Sequence, residues 1–160
     1  VTFDSFTEVH FSSREIGGAT MQMNPYLMFD GQCEEAFKFY EQLLGGQIVA
    51  MMHPEGTSAE NSVPAEWRGK IIHARMVVGG QVLMGSDAPP ANWQKPQGFS
   101  INIGVTDPAQ AERIFRALEE NGKVTMPLGE TFWAVRFGML VDRFGIPWMV
   151  NCEKTAEKAA

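Results

Sequence analysis

The chain has 160 residues, 44% of them hydrophobic, and a formal net charge of −6 with a pI near 5.0. That length can bury roughly 70% of the unfolded surface in one domain, and the acidic balance, without Lys/Arg clusters, argues against a nucleic-acid-binding face. No apolar run approaches the ~18 residues that span a bilayer, the first residues lack the pattern of a signal peptide, and Cys33 and Cys152 have neither metal-site nor disulfide-framework spacing. A cytoplasmic protein without membrane or nucleic-acid partners is expected.

Residues 1–22 read as an extension outside the fold, since residues 1–20 follow neither a helical nor a strand period for long; a short added strand is the competing reading. The first strand is expected at Pro25 to Phe29, and Asp30-Gly31 supplies turn and cap chemistry for a helix starting near Gln32. Ala36, Phe37, Tyr40, Leu43 and Leu44 recur at helical spacing, Gly45-Gly46 stops the helix, and Gln47 to Met52 returns as a strand. From His53 to Gly69 the chain is polar and punctuated by Pro54, Gly56 and Pro64, a surface loop in which Trp67 is the apolar exception. Two strands follow around a Gly79-Gly80 turn, Lys70 to Val78 and Gln81 to Asp87.

Residues 88–98 are rich in proline, without period, and read as a linker. The pattern then repeats. Phe99 to Val105 alternates as a strand, and Asp107-Pro108-Ala109-Gln110 opens a helix with an acidic cap, proline at its first position and a glutamine placed for a capping box. Ala111, Ile114, Phe115 and Leu118 form its buried stripe, and Asn121-Gly122 ends it. Ala111 lies 75 positions after Ala36, and Gly122 76 after Gly46, so the two strand-helix-strand units superpose in sequence. The last hairpin runs from Gly129 to Asn151 through a tight Asp142-Arg143-Phe144-Gly145 turn. The fold class is α+β, with one βαβββ unit carried twice: module one at 23–87, module two at 99–153, and a tail at 154–160.

A sheet covered by a helix on one side leaves its other face free. In the strand from Lys70, alternation assigns Ile72, Ala74, Met76 and Val78 to the helix and Ile71, His73, Arg75 and Val77 to the other face; Ser100, Asn102 and Gly104 likewise point away from the packed side. If the two half-polar faces turn towards each other they form a cleft. Tyr26, Met28, Met84, Phe132, Trp133, Trp148 and Met149 are candidates to line it, apolar walls with few polar anchors, as small-molecule sites have. Methionine and tryptophan at strand spacing are equally compatible with ordinary core.

The runs Asn24-Pro25-Tyr26-Leu27-Met28-Phe29, Glu35-Ala36-Phe37-Lys38-Phe39-Tyr40, Met84-Gly85-Ser86-Asp87, Glu130-Thr131-Phe132-Trp133 and Asp142 to Asn151 together resemble the PhnB-like branch of the vicinal oxygen chelate superfamily, which includes glyoxalase I, bleomycin-resistance proteins and extradiol dioxygenases. The resemblance covers about Met23 to Glu153. It implies two βαβββ modules forming a U-shaped mixed sheet around a cavity, commonly in homodimers, with a divalent ion in the metal-using members. Carried onto this chain, the ligand slots of those members fall at Tyr26 or Pro25, Met84, Ser100 and Met149. Thioethers and a lone hydroxyl do not suit a hard divalent cation, so no metal and no cofactor are expected. Members of this branch are often described as demethylubiquinone methyltransferases, yet neither Gly45-Gly46 nor Gly79-Gly80 makes the glycine-rich strand-to-helix loop that a nucleotide-type cofactor uses.

Three functions are weighed on this basis. The first is a metal-independent small-molecule binder with its ligand against Phe132, Trp133 and Trp148 and oriented by His73, Ser100 and Asn102. The second is an enzyme in which His73, with Asp87 as partner, acts as general base or unconventional metal ligand; a structural hydrogen bond for His73 and a capping role for Asp87 are the plain alternatives. The third is a structural dimer anchored by Trp67 and Trp93. Cys33, near a helix start, reads either as a thiol of lowered pKa or as an inert buried one, and Arg75 and Arg136 either as anion ligands or as ion-pair partners.

Overall fold

The computed structural model describes residues 21–154, so the expectations for residues 1–20 and for the end of the tail lie outside the described residues. Module one contains β1 (Tyr26–Phe29), α1 (Cys33–Leu44), β2 (Gln47–Met52), β3 (His73–Val78) and β4 (Gln81–Asp87), and module two contains β5 (Ile101–Val105), α2 (Pro108–Glu119), β6 (Lys123–Gly129), β7 (Ala134–Val141) and β8 (Pro147–Glu153). The strands form two four-stranded mixed sheets of the same topology, ordered β1-β4-β3-β2 and β5-β8-β7-β6. In each, the first strand pairs parallel with the last and the remaining pairs are antiparallel.

Each helix lies on one face of its sheet because its apolar stripe matches the inward positions of the strands. Cys33, Ala36, Phe37, Tyr40 and Leu43 of α1 are buried against Leu27, Phe29, Ala74, Met76 and Leu83; Ala111, Ile114, Phe115 and Leu118 of α2 are buried against Leu140, Trp148, Val150 and Cys152. Gly85 lets α1 come close: a Cβ there would stand 2.9 Å from both the Leu27 carbonyl oxygen and the Phe37 ring. The Gly79-Gly80 hairpin turn has positive φ at both residues, which glycine adopts without penalty.

Two expectations about local structure change. Asp30 does not cap α1, and Gln32 at the cap position makes no side-chain bond; the Cys33 N–H donates instead to Asp87 Oδ1 at 2.9 Å, from the end of β4. β3 begins at His73 rather than Lys70. Ile71 therefore escapes the alternation: it is 1% exposed in the core, and its N–H donates to Asp87 Oδ2 at 2.8 Å. α2 starts as its sequence indicates, with Asp107 accepting from the Ala109 N–H at 3.0 Å.

The modules meet through their helix-covered sides. The centre of that junction is Asp142, 4% exposed, in the turn between β7 and β8. Its Oδ1 accepts from the Phe144 and Ile146 N–H groups, both at 2.9 Å, while Oδ2 accepts from the Trp148 indole at 2.8 Å and from the Tyr40 hydroxyl of the other module at 2.6 Å. Tyr40 also packs edge-on against Trp148 and Phe144, and Arg113 of α2 donates to the Leu43 carbonyl at the end of α1. Burial, then the neighbouring Asp142 carboxylate, hold the Tyr40 hydroxyl well above its ordinary pKa, so it remains a donor.

Candidate functional site

With helices on the inner sides, each sheet keeps an open face. On the first, register places Tyr26 beside Met84 and Arg75, and Met28 beside Ser86. The Tyr26 hydroxyl lies 3.3 Å from His73 Nδ1 and the two rings are stacked with centroids 5.9 Å apart. The Ser86 hydroxyl points at Met28 Sδ at 3.6 Å, a weak acceptor. Tyr26 and Met28 are each 43% exposed, while His73, Arg75 and Met84 are half-buried. The linker closes one side. The Trp93 indole donates to the Met28 carbonyl at 3.3 Å, and a concavity of about 710 Å³ is bounded by Tyr26, Leu27, Met28, Gln94, Lys95, Pro96, Gln97 and Phe99.

On the second face Asn102 is in register with Met149, and Met149 with Met139. Trp133 leans on Phe137, with ring centroids 5.3 Å apart. Phe132 packs on the edge of Trp133 but is 90% exposed. Among the described residues, no hydrogen bond, ion pair or ring contact links one open face to the other. The space between the modules is instead a cavity of about 430 Å³ on the helix side, walled by residues such as Met76, Leu83, Ile103, Ile114 and Trp148, with Asn102 on its border.

The sequence-derived candidates thus divide. Tyr26, Met28, His73 and Met84 share one face; Asn102, Met149 and Trp133 belong to the other; Ser100 precedes β5, half-buried. Trp148 is not on an open face but on the helix side, where it walls the cavity between the modules. It is 1% exposed because even-numbered positions of β8 face α2, and its indole is committed to Asp142. Asp87 is not the partner of His73: it projects on the helix side of β4, and both its oxygens accept backbone N–H groups. Ser86, passed over in the sequence, was accessible from alternation, being two residues from Met84 and so on its face.

Burial, reinforced by Asp87 and Glu34, pushes the Cys33 thiol far up, so it is the inert alternative that holds. Arg136 pairs with Glu112 of α2 at 2.9 Å and is turned away from the open face. The slots that hold a divalent ion in metal-using relatives of this fold can be placed by register: Tyr26 faces Met84 in one module, and Asn102, not Ser100, faces Met149 in the other. A phenol, an amide and two thioethers are a poor donor set for such an ion, and among the described residues no three His, Cys, Asp or Glu side chains converge.

This architecture, two βαβββ modules each with a helix on one face and an open sheet on the other, is that of the glyoxalase/bleomycin-resistance fold. The family model described as 3-demethylubiquinone-9 3-methyltransferase matches residues 21–151, and the chain belongs to this PhnB-like family. It is 35% identical to Protein YjdN of Escherichia coli over 143 residues, 84% of this chain and 97% of that protein. The solved structure of protein PA1353 from Pseudomonas aeruginosa is 50% identical, covers 85% of this chain and 100% of its own, and has a TM-score of 0.77. A PhnB protein from Bacillus cereus is 26% identical over 82% of this chain and 99% of its own, with a TM-score of 0.71.

Proposed function

We propose that the protein binds a small organic molecule on the open face of its first sheet, without the divalent ion of the superfamily's metal-using members. The observation that carries this reading is the Tyr26–His73 pair, two polar ring groups 3.3 Å apart on a half-open surface walled by Met28 and Met84. Two thioethers supply polarisable, adaptable contact, and the phenol, imidazole and Ser86 hydroxyl supply orientation. Exposed Tyr26, Met28, Phe99, Phe132 and Trp133 also favour a homodimer, in which a second copy covers these faces and brings Trp133, Asn102 and Met149 opposite the first sheet. Unpaired Cys33 and Cys152 agree with a reducing cytoplasm, and no helix of the described residues is long and apolar enough to cross a membrane.

Protein-observed NMR with a library of small aromatic and aliphatic fragments tests the site. Shifts should cluster at Tyr26, His73, Met84 and Ser86; a cluster around Met76 and Ile103, in the cavity between the modules, would overturn the assignment. Metal analysis of protein purified without chelator tests the other half, since a stoichiometric ion would refute metal-independent binding. Sedimentation should give about twice the mass of one chain.

The second reading is catalytic, with His73 as general base, and the adjacent phenol favours it because a hydrogen-bonded hydroxyl fixes the aim of an imidazole. Its mark is turnover lost in His73→Ala while binding persists. Methyl transfer, the activity in the family description, draws less support: Gly45 follows α1 and Gly79-Gly80 turns a hairpin, so neither joins a strand to a helix.

A further inference from the structure

We propose that the open face of the first sheet selects molecules that carry a carboxylate or phosphate group on an apolar body, with Arg75 as the main anion anchor and Lys95 as the second. This rests on the binding reading above and names the class of ligand. The chain as a whole carries −6, yet the charges bordering this face are cationic. Arg75 stands half-buried beside Met84, and Lys95 is the one charged residue bounding the adjoining concavity.

No carboxylate among the described residues forms an ion pair with either. β1, β2 and β3 contain no Asp or Glu, and the one acid of β4, Asp87, is on the opposite face with both oxygens occupied. The ion pairs among the described residues are Lys38–Glu34, Arg136–Glu112 and Lys154–Glu130, so Arg75 and Lys95 enter none. A half-buried arginine without a paired carboxylate keeps its planar, two-pronged donor set free for an incoming anion. Tyr26 and Ser86 add hydroxyl donors on the same face, the latter held only by a thioether. Met28, Pro96 and Phe99 extend the surface away from the charge and would receive the apolar part.

The second open face is an internal control. It presents Asn102, Met139, Met149 and Asn151, with Glu153 at its end, while Arg136 is spent on α2. It offers an anion nothing comparable.

The test titrates benzoate, phenyl phosphate and benzamide into the full chain, read by NMR shifts of Tyr26 and His73, with Arg75→Met, Arg75→Lys and Lys95→Met as variants. At least one of the two anions should bind about tenfold or more tighter than benzamide. Arg75→Met should remove about tenfold of that affinity and leave benzamide within about twofold, Arg75→Lys should restore part, and Lys95→Met should cost about two- to threefold. The ratio of benzoate to phenyl phosphate identifies which anion the face prefers. Should Arg75→Met fail to fold, a salt titration of the unmodified protein replaces it: anion binding must weaken with salt while benzamide binding does not. Equal affinity for all three probes, indifferent to Arg75 or to salt, overturns the anion proposal and leaves open-face binding standing. No shift at Tyr26 or His73 up to about 10 mM of any probe overturns both.

Discussion

The two modules share a backbone plan and differ in what they do with it. Tyr40 of α1 and Phe115 of α2 occupy corresponding positions, 75 residues apart, and both are buried. Only the first carries a hydroxyl, and that hydroxyl crosses the junction to Asp142. Outward the contrast reverses in kind: the first open face gathers Tyr26, His73, Arg75 and Ser86, whereas the second carries amides, thioethers and the Trp133–Phe137 pair. A duplicated scaffold thus keeps its helix-facing pattern, where packing constrains volume, and varies where a strand meets solvent or ligand.

The junction side of this contrast is where the largest effect is expected. Asp142→Ala strands the Tyr40 hydroxyl, the Trp148 indole and two backbone N–H groups, and should cost roughly 3–5 kcal/mol in urea unfolding. Gly85→Ala, forced against Phe37 and the Leu27 carbonyl, should cost about 1–3 kcal/mol, whereas Gly104→Ala, with nothing within 4 Å of the added methyl group, should be neutral within about 0.5 kcal/mol. Equal effects of the two substitutions would erase the distinction between packed and open faces. Asp87→Ala removes the acceptor for Cys33 and Ile71 and should cost about 2 kcal/mol of stability without altering ligand binding on the open face; a selective loss of binding would return Asp87 to the site.

Alkali probes module one's buried side more gently. The folded Cys33 and Tyr40 pKa values are raised, so unfolding releases protons once the pH exceeds the unfolded values of about 8.5 and about 10. Their contribution is present below those values and is lost as pH rises through the window above them, so the urea midpoint should fall progressively from about pH 8.5 to 11. A flat profile would refute the burial argument. The smallest effect belongs to Phe132→Ser, within about 0.5 kcal/mol on stability, although sedimentation should detect weakened self-association.

The duplication, both helices and most strand bounds were readable because periodicity and the glycine, proline and Asp107 punctuation agree along each unit. Ile71 was misread because Lys70 to Ile72 look like strand while lying just before one, so alternation does not apply to them. Asp87 was misread because its bonds to the N–H groups of Cys33 and Ile71 join segments 54 and 16 positions away, which no local pattern encodes. Trp148 was legible only as ligand wall or core, since its aromatic character suits both, and the register of β8 against α2 puts it in the core, bordering the cavity between the modules. The Tyr26–His73 contact joins residues 47 positions apart, across an intervening strand, which no local pattern encodes.

Asp142 carries one last consequence. A single carboxylate draws its hydrogen bonds from its own turn, from the following strand and from the helix of the other repeat. The two halves are therefore one cooperative unit rather than beads on a string, and heat or urea should melt them in a single transition. Either repeat made alone would carry an exposed tyrosine or tryptophan together with a carboxylate or hydroxyl lacking its mate. The repeated plan is bound into a whole whose halves depend on each other.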